Sequence, residues 1–255
     1  MNEHRIVMHG PLRYSSGFTL LEMAVVLMII GLLLGGLIPT LSAQMDGQRI
    51  NKTQKQLNEI KDAITGFAVI NGRLPMPACG TIAAGQANAG IELDPALPAS
   101  AVLCTTGASD IAVVPWATLG IDETDAWGRR FTYSVTPEFA DSTDGAGATC
   151  SVTTGVSFQL CSTATLEVRA SSPAGAIVAS DIPAIIVSHG INGLGAYQPG
   201  GGAKISGATG DELENSDNDN NFVSKDQVQG GFDDLVVWLS PNTLANRMVT
   251  AGKLP

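Results

Sequence analysis

Basic charge is scarce in this chain. Its 255 residues hold 14 Lys and Arg against 24 Asp and Glu, a formal net charge of -10. Nucleic-acid binding draws on clustered cations that neutralise phosphates, and no such cluster is present, so the balance argues against that partner. Histidine is equally sparse: His4 and His9 lie near the start and His189 stands alone in the body. No heptad and no fixed longer period appears, which sets aside coiled coils and solenoids. A G-x-S-x-G elbow, a phosphate-binding Walker loop and an H-E-x-x-H helix are also missing, so the common hydrolase and nucleotide signatures are not available. What remains is a chain with 44% apolar residues, enough for a core, and a length that suits one domain with additions or two small ones.

The N-terminus holds the most information. From Phe18 to Ile38 the chain reads FTLLEMAVVLMIIGLLLGGLI, 21 residues with one charge, Glu22. As a helix this run is about 31 Å long, the thickness of a bilayer's hydrocarbon core. A secretory signal has a shorter apolar run and a small-x-small cleavage site. Here the run leads into a polar helical stretch, and Leu41-Ser42-Ala43 is a poor cleavage site. The leader carries Arg5 and Arg13, which predicts a cytoplasmic N-terminus and an extracytoplasmic remainder. Glu22 stands five residues into the run with no cation within a helical turn or two, so its partner must come from elsewhere.

Gly17-Phe18-Thr19-Leu20-Leu21-Glu22 resembles the processing site of type IV prepilins and type II secretion pseudopilins. The resemblance implies cleavage after Gly17 by a prepilin peptidase and methylation of the new N-terminal residue, Phe18. It implies that Glu22 meets the freed α-amine of a neighbouring subunit. Gly31 and Pro39 also fall where this family commonly has a glycine and a helix-kinking proline, and are carried over as assembly residues. Expected partners are other pilin or pseudopilin subunits, the peptidase, and an inner-membrane assembly platform with a cytoplasmic ATPase.

Past Pro39 the pattern turns amphipathic. Ile50, Leu57, Ile60, Ile64 and Phe67 are spaced by seven, three, four and three, one helical face. Asn71-Gly72 with Pro75 close behind supplies a stop, so one long helix from about Phe18 to Ile70 is expected, loosened near Gly35-Gly36 and Pro39. Strands are expected at Arg129–Val135, Val156–Cys161, Thr165–Ala170, Ala184–Ser188 and Leu235–Leu239, with a short helix from Pro241 to Ala251. Ala83–Ala101 and Gly200–Asn221 read as loops. Asp125-Ala126-Trp127-Gly128 is similar to the segment opening the major pseudopilin sheet, and Ile185–Gly190 with Phe232–Trp238 to its last two strands.

Cys79, Cys104, Cys150 and Cys161 all fall on the extracytoplasmic side, where an even number favours disulfides over a zinc site lacking any C-x-x-C. Three connectivities are open; pairing of neighbours would pin two Gly/Ala-rich loops. The run Asn215–Asn221 alternates oxygen donors like the start of a calcium loop, but Phe222 and Val228 stand where an EF-hand needs glycine and glutamate. Calcium at Asp217, Asp219 and Asp233, following the family's habit of binding it before the last strand, stands beside a solvated acidic loop as the alternative. Ser188 and His189 are adjacent on a strand and face opposite ways, so a catalytic pair is not expected.

The fold class is therefore α+β: a long N-terminal membrane-spanning helix packed on a small antiparallel head with long loops. A cleaved leader (1–17), a membrane or filament-core helix (18–41), its amphipathic continuation (42–72) and an extracytoplasmic head (73–255) follow. The expected function is a non-enzymatic pseudopilin or minor pilin, held in the bacterial inner membrane with its head in the periplasm before assembly. The alternative is a membrane-tethered adhesin or ligand-binding module that does not polymerise.

Overall fold

The computed structural model describes residues 17–93, 104, 111–141, 155–228 and 230–254; the side chains of 35–43 and of Ile111 fall outside that description. Helix α1 runs over Leu20–Asn71. The chain divides into two compact units, Met1–Gly47 and Gln48–Pro255.

In the first unit every described side chain from Gly17 to Leu34 is exposed. Leu20, Leu27 and Leu32 are 92%, 68% and 69% accessible. An apolar stripe on one side would mark a helix that buries that side alone; this segment is apolar all round. Among the described residues, no helix is long and apolar enough to cross a membrane. Within the apolar run the described side chains reach Leu34, and Gly35–Ile38 complete the run in the sequence.

The second unit is built on a five-stranded antiparallel sheet in the order β1 (Ala78–Cys79), β2 (Ile111–Val113), β3 (Thr132–Val135), β6 (Ala184–Ser188), β8 (Leu235–Leu239). Leu57, Ile60, Ile64 and Ala68 of α1, spaced three, four and four, are all at most 2% exposed. They pack on Phe131, Tyr133, Ile186, Val237 and Leu239, with Leu244 and Met248 of α5 (Pro241–Thr250) closing the same core. Phe67 is half-buried, with the Arg73 guanidinium 5.4 Å from its ring centre, and Ala68 takes the inward position one residue on. Gly72 ends the helix at φ 74°, and its amide bonds the Ala68 carbonyl.

A second sheet lies against the other face. It holds β5 (Ile177–Ile182), β4 (Leu166–Arg169) and β7 (Asn221–Val223), with β4 and β5 antiparallel but β4 and β7 parallel. The small antiparallel sheet expected from sequence is therefore two sheets, one of them mixed. The central strand explains the difference. β6 is buried along its whole length, with Ile186 facing the helices and Ile185 and Val187 packed against Leu166, Val168, Ile182 and Phe222. A continuous apolar run such as Ala184–Val187 is the pattern of a strand covered on both faces.

The strand expected at Val156–Cys161 is irregular. Val156 and Phe158 are buried, but the Ser157 amide bonds the Gly72 carbonyl and Ser162 turns back on Gln159, so no ladder forms. β3 is shorter than expected because Arg129 and Arg130 leave the ladder for other work. Arg130 is fully buried: it bonds the Gly80 and Ile82 carbonyls at 2.8 and 2.7 Å, pairs with Glu123 at 2.7 Å and stacks on Trp116 at 4.5 Å. Charged and carbonyl partners of this kind keep a buried guanidinium from being costly. The loop expected at Gly200–Asn221 holds a short helix, α4 (Asp211–Glu214), and two further short helices, α2 (Trp116–Leu119) and α3 (Pro137–Ala140), flank β3.

Candidate functional site

Two places concentrate polar chemistry, one in each unit. The first is the start of α1. Gly17 and Phe18 precede the helix and are exposed, Phe18 to 76%. Thr19 precedes the first helical turn, and its Oγ1 accepts the Glu22 amide at 3.2 Å. The Glu22 carboxylate reaches back to accept the Thr19 amide at 3.4 Å. This is the reciprocal capping box of T-x-x-E, which satisfies two of the orphan amides at a helix N-terminus and sets a carboxylate at the positive end of the helix dipole. Thr19 is the residue that sequence reasoning left unassigned, although the T-x-x-E spacing was legible. Of the other residues placed here, Gly31 lies on the exposed helix where an added Cβ would touch nothing, and the Pro39 side chain lies outside the described residues.

The second place is the turn after β6, facing the entry to β8. Gly190 sits at φ 54°, and a Cβ there would lie 2.3 Å from the Asp233 carbonyl, so only glycine lets the two segments meet. Arg129 donates to the Gly190 and Asn192 carbonyls at 3.2 and 3.4 Å, pinning the turn. Asn192 then gathers two carboxylates: its amide donates to Asp233 at 2.8 Å and its side chain to Glu212 at 2.7 Å. Asn215 holds one oxygen of Asp234 at 2.8 Å. Glu212, Asp233 and Asp234 thereby bring ligand oxygens within 4.8 Å of one another.

The electrostatics of this cluster are unresolved by the protein's own groups. Asp233 Oδ1 and Asp234 Oδ1 are buried and make no hydrogen bond among the described residues. Burial, then the negative charge of Asp234 and Glu212, push the Asp233 carboxyl up to about 6. Orphaned carboxylate oxygens beside like charges, in an all-oxygen donor set, fit a hard divalent cation such as calcium and do not suit zinc or copper.

Of the calcium residues expected from sequence, Asp233 belongs to this cluster. Asp217 and Asp219 lie apart from it. They line a depression with Tyr133, Val135 and Leu166, and they accept the amides of Asp219 and Asn221 as turn formers. Glu212 and Asp234 were not singled out from sequence. The adjacent acids Asp233-Asp234 before a strand carried a signal; Glu212, within an acidic run, carried none.

His189 is fully buried, with Nε2 2.7 Å from the Thr132 hydroxyl and Nδ1 3.7 Å from Asp234. Ser188 points the other way and donates to Asp125 at 2.7 Å. The two do not form a nucleophile–base pair. Cys79 and Cys104 are joined in a disulfide, and Cys161 is also disulfide-bonded. Cys150 lies outside the described residues.

Residues 12–38 match the family model described as the prokaryotic N-terminal methylation motif. No curated protein and no solved structure is similar enough to the chain to count as a match. The chain thus carries the prepilin-type cleavage and methylation signal, which supports a type IV pilin-like or pseudopilin-like precursor and implies processing by prepilin peptidase and assembly with other pilin subunits.

Proposed function

We propose that this chain is a structural, non-enzymatic subunit of a type II secretion or type IV pilus filament, a pseudopilin or minor pilin. The observation that carries the reading is the helix start. An apolar segment exposed on every side begins directly after a processing glycine, and its single carboxylate is held in the first turn. Such a surface needs apolar cover, and two environments supply it in turn. The inner membrane covers it before assembly, with the head in the periplasm; the packed helices of neighbouring subunits cover it in the filament.

In this reading Glu22 takes the methylated α-amine of Phe18 from a neighbour, and the ion pair fixes depth and register because a misaligned charge in an apolar core is strongly penalised. Extraction from lipid is driven by an assembly platform and its cytoplasmic ATPase. The Glu212, Asp233 and Asp234 cluster takes calcium, which neutralises the three acids and ties the turn after β6 to β8.

The test is co-fractionation. Cells that express the prepilin peptidase and assembly machinery should yield sheared filament material containing this chain with a methylated Phe18 at its start. A processed protein that stays entirely in the membrane fraction would instead favour a tethered module.

A further inference from the structure

The described strand edges of the second unit differ in how they are protected. At one end of the five-stranded sheet, β1 is bridged by Glu92 and tied by the Cys79–Cys104 disulfide. β5 carries register shifts against β4 and an exposed Asp181 at φ 55°, a bulged and charged edge. β7 is closed by Asn215, whose side-chain amide bonds both the amide and the carbonyl of Val223 at 2.8 and 3.0 Å. Those are the usual devices against unwanted pairing.

β8 has none of them. It pairs with β6 residue for residue from Ala184↔Leu239 to Ser188↔Leu235 without a bulge, and it is the terminal strand of its sheet among the described residues. Its sequence, LVVWL, has no charge and no proline. A groove of about 410 Å³ runs along it, walled by Asn58 and Lys61 of α1 and by Ser240 and Thr243 at the start of α5, with Trp238 in its lining. Lys61 makes no ion pair among the described residues, and Ser240 does not cap α5 with its side chain. Among the described residues the groove therefore combines an unpaired backbone edge, apolar side chains and one cation, Lys61.

We propose that β8 accepts an extended strand from a different protein chain, an apolar alternating segment with a carboxylate in reach of Lys61. Main-chain bonds along the open edge give the affinity, alternate side chains fill the groove beside Trp238, and the acid supplies the charge that Lys61 lacks. A second copy of this chain meets these needs poorly. Pairing of two β8 strands sets each Lys61 groove against the same uncharged run, and the acids that directly precede β8, Asp233 and Asp234, are buried in the cluster after β6. The head's net excess of acids also makes a local cation a selective feature of this groove.

The test uses the full-length chain in detergent micelles and an acetylated six-residue peptide alternating valine and threonine and ending in aspartate. Saturable binding should shift tryptophan emission in the native chain, and that shift should vanish in Trp238→Phe. Anisotropy of the same peptide carrying a fluorophore gives a second readout that does not depend on Trp238. Affinity should fall at least tenfold for Lys61→Glu and for the peptide ending in lysine. A copy with proline at its centre, which cannot continue the ladder, should not bind. No saturation at millimolar peptide, or equal binding of the proline peptide, overturns the proposal. A dimer in the absence of peptide that is abolished by Val236→Lys overturns it in favour of a second copy. None of these readouts needs filament assembly, so they stand apart from the filament reading.

Discussion

Thr19 and Glu22 cap each other: the threonine hydroxyl accepts the Glu22 amide at 3.2 Å, and the Glu22 carboxylate accepts the Thr19 amide at 3.4 Å. The carboxylate that the filament reading assigns to a neighbour's amine is therefore already employed within its own chain. It has a structural role in the helix start and a charge to offer, and the two can be separated.

Glutamine at position 22 keeps the capping geometry and removes the charge, because a capping box accepts Glu or Gln. Glu22→Gln and Glu22→Val should therefore both be processed and both leave the filament fraction, by tenfold or more, if the ion pair sets register. Thr19→Ala should cost about 1 kcal/mol at the helix start and reduce assembly far less. The measurement is the ratio of sheared to membrane-bound protein in cells with intact machinery. Assembly of Glu22→Gln at native levels would leave capping as the role of Glu22 and remove the ion pair.

Processing gives a sharper number. Removal of 17 of the 255 residues leaves a chain of 238 that begins at Phe18 with a methylated amine. Intact-mass spectrometry of membrane-extracted protein reads both changes at once. An uncleaved leader in a host with active peptidase, or a start after Ala43, would contradict the processing site.

The parts of the molecule that repeat a short-range rule were legible in the sequence. Leu57, Ile60 and Ile64 announce a helical face by spacing alone, and each is at most 2% exposed. Ser240-Pro241 marks the start of α5 because proline fits the first helical position. β5 was not legible: IVASDI lies at an edge with both faces largely open, so burial imposes no alternation on it. β7 is three residues long and is fixed by β4, which is distant in sequence, and by the Asn215 side chain, contacts no residue pattern encodes. The acidic cluster was half legible for the same reason. Asp233 and Asp234 are neighbours, while Glu212 joins them through the Asn192 side chain, a contact no spacing rule encodes.

The disulfides should matter to the head and not to processing. Protein purified without reductant should contain no reactive thiol, since the described cysteines are all bonded. Breaking Cys79–Cys104, which closes a separation of 25 residues, should lower stability by about 2–4 kcal/mol. Cys79→Ser protein should still be cleaved after Gly17, because the processing site lies in the other unit. Denaturant unfolding of the two proteins checks the first claim and intact mass the second. Titration of free thiols in the native protein would contradict the pairing.

The acidic cluster makes a prediction whose sign depends on the cation. Burial and the charges of Asp234 and Glu212 raise the Asp233 carboxyl to about 6 in the folded chain, above its ordinary range. A carboxyl with a raised folded value binds its proton more tightly folded than unfolded, so its contribution to stability is complete below about pH 4 and is lost as pH rises through about 6. The magnitude is on the order of 2–3 kcal/mol. In chelator, the native protein should therefore lose melting temperature between pH 4 and pH 7 relative to Asp233→Asn, which has no such proton to release. Calcium acts in the opposite direction. It competes with the proton, so millimolar calcium should restore the native protein near pH 7 and do little near pH 4. Asp233→Asn should respond weakly at both, and Asp217→Asn, outside the cluster, should respond as the native protein does. A calcium effect of equal size at both pH values, or one removed by Asp217→Asn and kept by Asp233→Asn, would place the cation elsewhere in the head.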